Sequence, residues 1–298
     1  MKIIEPNVEL WKQTDEVTHV CRCARVCYRK ESGNDERLIQ SLKLRKHLSV
    51  FRHFTHYYIM PAYVLHSSYK TNQVLWIADL CKVINTHCQI VVGIDIRYAS
   101  DNYYIVANGQ WVLEHQDLVK PLDEYKLTAD EFFNYDIISY NMMRYTFRVT
   151  TQISTSRELN RVSPNNIAEQ STRYVYEDGT ICRPHWMTKE EADYLNTNEI
   201  LDDDWIVNHC WAKRYIWTID NSFDKYKMLV DAGLHRQDAR GVLPLDTATV
   251  CAYTYSLREW RDIIDLRYYG TTGQPHPNAK IAAGMIREEL MNLGYDFR

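Results

Sequence analysis

The segment from Thr155 to Tyr174 concentrates charged and hydroxyl side chains that could hold an anionic, planar ligand. Within TSRELNRVSPNNIAEQSTRY, Glu158 and Arg161 lie three residues apart, whereas Ser171 and Arg173 lie two apart. On a helix the first pair shares a face, and on an extended segment the second pair points to one side. A hydroxyl beside a guanidinium suits a phosphate, because the guanidinium matches two oxygens and the hydroxyl donates a further bond. The alternative is a solvated loop whose surface ion pairs contribute little.

A strand and a short helix are predicted to position these side chains. Residues 145–153 alternate between apolar and polar types, which predicts a strand leading into the segment. Thr155 and Glu158 have the spacing of a capping box, which predicts that a helix begins there. Pro164 and the two asparagines after it predict that this helix ends within two or three turns.

Together these residues resemble the signature of the flavin-dependent thymidylate synthases, which is Arg-His-Arg, seven further residues, and then Ser-x-Arg-Tyr. Arg161 matches the first arginine, and residues 171–174 match the end of the motif. The middle departs from the family, because Val162 and Ser163 stand where the family carries histidine and the second arginine. In the family, both of those positions contact the flavin.

A second motif lies near the N-terminus. The run Ala24-Arg25 falls on a predicted helix at about residues 14–29, and His47 and Ser49 fall on a turn before a predicted strand at residues 54–60. The family has the same order of elements, and Ser49 matches a position that contacts the flavin. Arg52 replaces the glutamate that is common there, which is a second departure.

The third and fourth motifs lie in the C-terminal half. Arg240 belongs to an Ala-Arg-x-x-Leu-Pro element, and Ser256-x-Arg258 is followed by Arg267, eleven residues after Ser256. The family has asparagine at the position of Ser256, and Asp262 matches a further flavin-contacting position. The order and intervals of the four motifs agree with the family over residues 10–61 and 144–293.

The resemblance implies a role for each matching residue. The residues expected to bind the nucleotide substrate are Glu158, Arg161, Glu169, Gln170, Ser171, Thr172, Arg173, Arg240 and Arg267. The residues expected to bind the flavin are Ser49, Arg161, Val162, Ser163, Glu169, Ser256, Arg258 and Asp262. Arg267 is the expected catalytic residue, because a fixed guanidinium stabilises the charge that develops on N3 and O4 when C5 of a uracil ring is alkylated.

The reaction implied by the resemblance is reductive methylation of dUMP at C5. It uses FAD reduced by NADPH and methylenetetrahydrofolate as the one-carbon donor, in a homotetramer whose sites are built from several subunits. Three departures on the flavin side keep other readings open. The chain could modify C5 of UMP or a cytidine nucleotide, stop at the hydroxymethyl product without hydride transfer, or be an inactive nucleotide-binding homologue.

The predicted fold class is α+β, with an antiparallel sheet packed against long helices. We expect a single domain over residues 1–298, with an insertion at about residues 62–143 that is absent from compact family members. Within the insertion, residues 89–96 and 103–107 read as the strands of a hairpin. Packing or oligomer contact is its expected role, and a lid over the substrate is the alternative.

Composition argues against nucleic-acid binding, membrane association and metal binding. A net charge of −4 argues against a general nucleic-acid binder. No apolar run reaches the length of a membrane span, so a cytoplasmic protein without a membrane partner is expected. The eight cysteines and eleven histidines show no metal-ligand spacing, so no metal is expected.

Overall fold

The computed structural model describes residues 1–66, 93–163, 166–198 and 202–298. The strands in these ranges are β1 Lys2–Ile4, β2 Asn7–Trp11, β3 Thr55–Pro61, β4 Ile94–Ala99, β5 Asn102–Asn108, β6 Lys126–Leu127, β7 Arg144–Gln152, β8 Ile167–Glu169, β9 Thr180–Cys182 and β10 Ala248–Ser256. The α-helices are α1 Glu16–Val26, α2 Asp35–Leu44, α3 Tyr63–His66, α4 Gly109–Glu114, α5 Gln116–Val119, α6 Ala129–Phe133, α7 Ile137–Asn141, α8 Ile153–Asn160, α9 Lys189–Thr197, α10 Asp203–Asn208, α11 Cys210–Asp231, α12 Arg236–Ala239, α13 Leu257–Ile264 and α14 Pro277–Asn292. Short 3₁₀ turns cover Leu48–His53, Lys120–Tyr125 and Arg240–Val242. The predicted combination of helices with antiparallel sheet is confirmed.

The central sheet has the strand order β2-β7-β10-β8, and all its pairings are antiparallel. β7 and β10 pair along their whole length, from Gln152 opposite Ala248 to Arg144 opposite Ser256. Alternate side chains of β7 face the core, as the sequence pattern predicts, and Phe147 packs edge-on against Trp260 of α13 at a ring-centroid distance of 5.0 Å. The apolar faces of α13 and α14 close this core.

A second antiparallel sheet has the order β4-β5-β3-β6. β5 pairs with β3 from Thr55 opposite Asn108 to Pro61 opposite Asn102, and β4 pairs with the other edge of β5. Residues 89–92 of the first predicted hairpin strand lie outside the described residues. The hairpin therefore extends a sheet that already contains β3, the strand before the insertion.

The start of α8 differs from the prediction. The helix begins at Ile153, so Thr155 lies inside it and donates its hydroxyl to Gln152 Oε1 at 2.8 Å instead of forming a cap. The first helical amides need no capping side chain, because the amides of Ile153 and Ser154 donate to the carbonyls of Thr247 and Leu245. Pro164, which was predicted to end the helix, lies outside the described residues.

The end of α13 positions a predicted site residue. Ser256 and Glu259 form the predicted capping box at its start. After Ile264 the chain continues as one π-helical turn, Asp265–Tyr269, and ends at Gly270 with a φ of 72°. A left-handed conformation of this kind favours glycine, so the turn carrying Arg267 ends at a fixed point. Among the described helices, none combines the length and apolar character that crossing a bilayer requires.

Candidate active site

The first group of predicted residues surrounds Arg240. A cavity of about 570 Å³ is lined by the segment from Glu169 to Thr172 and by the turn from Arg240 to Leu245, without Val242. Arg240 Nη1 donates to the Thr172 hydroxyl at 3.0 Å. The guanidinium and the hydroxyls of Ser171 and Thr172 thus border one space, which is a donor set suited to phosphate oxygens.

Ser171 and Arg173 are fixed through the backbone and a neighbouring ring. The amide of Ser171 donates to the carbonyl of Cys27 at 3.0 Å, and the amide of Arg173 donates to the Ser171 hydroxyl at 3.3 Å. The Arg173 guanidinium lies over the Tyr174 ring at 5.3 Å, and that ring contacts Tyr28 at 5.4 Å. Arg173 is exposed, so its charge stays available at the surface beside the cavity.

Glu169 and Gln170 have different surroundings. Glu169 accepts hydrogen bonds from Ser156 at 2.7 Å and from Thr249 at 3.3 Å. Gln170 is buried, accepts from Arg29, and donates to Glu177 at 3.1 Å. Its side-chain amide is therefore bonded within an internal network with Arg29 and Glu177, which holds this loop in place.

The second group surrounds Arg267. Arg267 Nε donates to the backbone carbonyl of Glu158 at 2.8 Å, and its Nη2 lies 3.4 Å from Glu158 Oε2. The other carboxylate oxygen of Glu158 lies 3.7 Å from Nη1 of Arg161, whose side chain is 74% exposed. One carboxylate thus lies between two guanidiniums.

Helix α8 separates the two groups. Ile153 and Arg157 face the Arg240 cavity, whereas Glu158 contacts Arg267. Successive helical residues point about 100° apart, so Arg157 and Glu158 lie on different faces. In the part of the chain that the structure describes, no hydrogen bond or ion pair joins the Arg240 group to the Arg267 group.

A second cavity, of about 660 Å³, lies between α1, α2 and β8. Ser49 and His47 line it on one side, and Glu169, Ser171 and Tyr174 line it on the other. It shares Glu169 and Ser171 with the Arg240 cavity. Its size and its mixture of apolar and polar walls suit part of a planar ring system.

Three of the remaining flavin-side positions have internal partners, and two are exposed. Ser163 is 3% exposed and its hydroxyl donates to Glu259 at 3.0 Å. Ser256 donates its hydroxyl to the same carboxylate at 2.9 Å. Val162 packs against the central core. Arg258 and Asp262 are exposed on α13. The residues present therefore fit a flavin at Ser49 and Glu169, and they do not fit one at Ser163 and Ser256 without breaking these bonds.

Sequence reasoning missed a buried polar chain beside the second cavity. His53 lines that cavity and its Nδ1 lies 2.8 Å from the Thr254 hydroxyl, which contacts Thr146, which in turn contacts His19. Burial lowers the pKa of His53 to about 3, and burial together with Arg22 lowers the pKa of His19 to about 4. Both rings are therefore neutral near pH 7. No local pattern marks this chain, because Thr254 lies 201 residues from His53.

A metal site is not formed by the described side chains, among which no three His, Cys, Asp or Glu residues come together.

Two sequence comparisons bear on the family. The sequence profile of the thymidylate synthase complementing proteins matches residues 139–292, just over half of the chain. A flavin-dependent thymidylate synthase of Kosmotoga olearia is 27% identical over 124 residues, which are 41% of this chain and 53% of that protein. The chain thus spans about half the length of that curated relative.

Two solved structures of the UMP/dUMP methylase PolB from Streptomyces cacaoi are also similar. One is bound with 5-Br dUMP and is 19% identical, with a TM-score of 0.43 over 98% of this chain and 93% of that chain. The other is bound with 5-Br UMP and is 18% identical, with the same TM-score over 98% and 92%. The profile match covers β7, α8, the Arg240 element and the turn of Arg267, which are the elements that carry both residue groups. The chain belongs to the family of thymidylate synthase complementing proteins, the flavin-dependent thymidylate synthases.

Proposed function

We propose that this protein methylates C5 of a pyrimidine nucleoside monophosphate, and that its substrate is dUMP. One observation carries the proposal: five matching side chains form two compact groups, Arg240 with Ser171 and Thr172, and Arg267 with Glu158. Membership of the family supports the same reaction class.

The Arg240 group is the proposed phosphate site. Arg240 and Arg173 supply two positive charges, and Ser171 and Thr172 supply hydroxyl donors. Charge-assisted hydrogen bonds of this kind are about twice as strong as neutral ones. The group would fix the nucleotide by its charged end and would leave the base free to reach a second set of residues.

The Arg267 group is the proposed base site. C5 of uracil becomes nucleophilic when the charge on N3 and O4 is stabilised, and a guanidinium already held in place provides this without reorganisation. Arg267 is held in this way by its bond to the Glu158 carbonyl, and its side chain is 17% exposed. We assign Arg267 the catalytic role for these reasons.

The family implies a flavin, and we propose FAD together with NADPH and methylenetetrahydrofolate as co-substrates. Reduced flavin would supply the hydride that completes the methyl group. Ser49 and Glu169 would hold it in the second cavity, and the exposed side chains of Arg161, Arg258 and Asp262 are further candidates for contact with it. The inward bonds of Ser163 and Ser256 lead us to propose weaker flavin binding at those two positions.

We propose that the two groups meet across an interface between copies of the chain, because α8 keeps them on different faces within one chain. We propose a homotetramer, in which each site is formed by residues of more than one copy. We further propose that residues 62–143 elaborate the same domain, which the pairing of β5 with β3 supports. A cytoplasmic location is also proposed, from the sequence alone.

The test combines absorbance with product analysis. We expect the purified protein to show a flavin spectrum after FAD is added, and to convert dUMP to dTMP when NADPH and methylenetetrahydrofolate are present. Arg267→Ala should retain the fold by circular dichroism and lose the product. Conversion of UMP or dCMP but not dUMP would contradict the substrate, and binding of dUMP without any product would favour an inactive homologue.

A further inference from the structure

The carboxylate of Glu158 lies next to the proposed catalytic guanidinium. Arg267 is bound to Glu158 twice, at the backbone carbonyl at 2.8 Å and at Oε2 with a separation of 3.4 Å. The other carboxylate oxygen, Oε1, lies 3.7 Å from Nη1 of the exposed Arg161, and the Glu158 side chain is 34% exposed, so a ligand can still approach the carboxylate. A ligand that reaches Arg267 therefore meets Glu158 as well.

The two side chains offer complementary hydrogen-bonding groups. An arginine can only donate, and an ionised glutamate can only accept. The edge of a uracil ring presents the N3–H donor between two carbonyl acceptors, O2 and O4. A ring oxygen can therefore accept from Arg267 while N3–H donates to Glu158, so one edge satisfies both groups.

We propose that Glu158 is a further catalytic residue, which accepts the N3 proton of the substrate as C5 attacks; this rests on the proposed function. The π electrons between C5 and C6 form the bond from C5 to the electrophilic methylene of the one-carbon donor. The donor's nitrogen takes the electron pair of the carbon–nitrogen bond that breaks. The N3–H bond breaks, its proton moves to a Glu158 oxygen, and its electron pair spreads over N3 and the two flanking ring oxygens, where it balances the positive charge that the attack leaves on C6 and N1.

A carboxylate can accept the N3 proton because N3–H becomes more acidic while C5 attacks. N3–H is a weak acid in the free nucleotide, but loss of electron density from the ring during attack makes it more acidic. Arg267 stabilises the negative charge on the adjacent ring oxygen. A base is most effective when its affinity for the proton matches that of the reacting group during the step. Glu158 can fill this role because Arg267 holds its position on the last turn of α8.

A merely structural ion pair would hold Arg267 in place without taking a proton. The two roles differ in their pH dependence. If Glu158 accepts the proton, the rate of the wild-type protein falls at low pH, because the carboxylate becomes protonated before the substrate arrives. In Glu158→Gln this acid limb disappears, because an amide does not titrate there.

The experiment measures C5 methylation of dUMP against pH in single turnovers, with dUMP affinity measured separately by calorimetry. We expect Glu158→Gln to lower the rate about 100-fold or more and to lose the acid limb, as is typical of a removed general base. Glu158→Asp should restore part of the rate together with the limb. Asp193→Asn is the matched control, since Asp193 is also an ion-paired helical carboxylate but lies on α9 beside Lys189, and its profile should equal wild type.

The outcomes separate this inference from the proposed function. A wild-type protein that forms product, together with Glu158→Gln that keeps the rate or keeps the acid limb, would overturn the role of Glu158 alone. A wild-type protein that forms no C5-modified product from dUMP would overturn both. Nucleotide affinity of N3-methyl dUMP equal to that of dUMP would also contradict the contact between N3–H and Glu158.

Discussion

Ser163 donates its hydroxyl to Glu259 at 3.0 Å, and this bond joins the middle of the signature segment to the start of α13. The same carboxylate accepts from the amide and the hydroxyl of Ser256, each at 2.9 Å. Two positions expected to contact the flavin are therefore connected through one carboxylate. The departures from the family motif are thus coupled in space, although 93 residues separate them.

Removing this connection should reduce stability by a small, defined amount. We expect Ser256→Ala to lower the free energy of unfolding by about 1 kcal/mol, because the amide of Glu259 loses its capping partner. Urea unfolding measures this change. Thr188→Ala is the matched control, because Thr188 forms the same capping box with Glu191 on α9 and lines neither cavity. We expect a similar loss of stability in both variants and unchanged flavin affinity in Ser256→Ala, because the Ser256 hydroxyl is bonded to Glu259. A flavin affinity that changes only in Ser256→Ala would contradict this inward role.

Three buried histidines should make the protein less stable at acidic pH. Burial lowers the pKa of His53 and His56 to about 3, and the pKa of His19 to about 4, from the usual 6.5. The folded chain then binds fewer protons than the unfolded chain below pH 6.5, so the free energy of unfolding falls from there towards pH 4. At about pH 5, each of these buried histidines should lower the free energy of unfolding by about 2 kcal/mol relative to neutral pH.

Two carboxyl groups act in the opposite direction. Burial raises the pKa of Glu16 and of Glu177, so the folded chain holds these protons more tightly and part of the loss is offset. Urea unfolding of the wild-type protein near pH 7 and near pH 5 measures the net effect. We expect the free energy of unfolding of His53→Gln to depend less steeply on pH than that of the wild type. The exposed control variant His235→Gln should keep the wild-type pH dependence. A free energy that is constant or rising towards pH 5 would contradict the description of these three rings as neutral and buried.

Trp260 is expected to dominate the stability of the central core. Its side chain is 1% exposed, packs against Phe147 and Tyr255, and donates its ring N–H to the carbonyl of Tyr145 at 3.2 Å. Trp260→Ala should lower the free energy of unfolding by about 3–5 kcal/mol, because it creates a cavity and leaves the carbonyl without this donor. Chemical denaturation measures the loss. The exposed Trp217→Ala on α11 is the control, and an equal loss in both variants would refute the core assignment.

The sequence predicts the helices and strands near the site, but it does not predict which distant segments they contact. The alternation before Ile153 predicts β7, and the Ser256–Glu259 spacing predicts the start of α13, because both patterns reflect local geometry. The capping box predicted from the same spacing at Thr155 does not form, because backbone carbonyls of residues 245 and 247 already accept from the first amides of the helix. Such long-range contacts leave no periodic trace in the sequence.

The candidate site shows the same limit. The motifs indicate which residues belong to it, but they do not indicate that Gln170 turns inward to Glu177 or that Glu158 binds Arg267. The first arrangement also involves Arg29, which lies 141 residues from Gln170, and the second joins residues that are 109 positions apart, so neither follows from the local sequence. The division of the site into two groups on different faces of α8 likewise follows from helical geometry combined with tertiary contacts.

Mixing two inactive variants shows whether the Arg240 and Arg267 groups of different copies form one site. If one nucleotide is bound by Arg240 of one copy and Arg267 of another, Arg240→Ala and Arg267→Ala should each be inactive alone. Co-expressed with distinguishable tags and purified as mixed oligomers, they should recover activity, at most about a quarter of the wild-type rate when pairing is random, because some shared sites contain neither substitution. Mixed oligomers that stay as inactive as either variant would contradict a nucleotide site shared between copies. An Arg240→Ala protein that keeps the wild-type rate would contradict it as well.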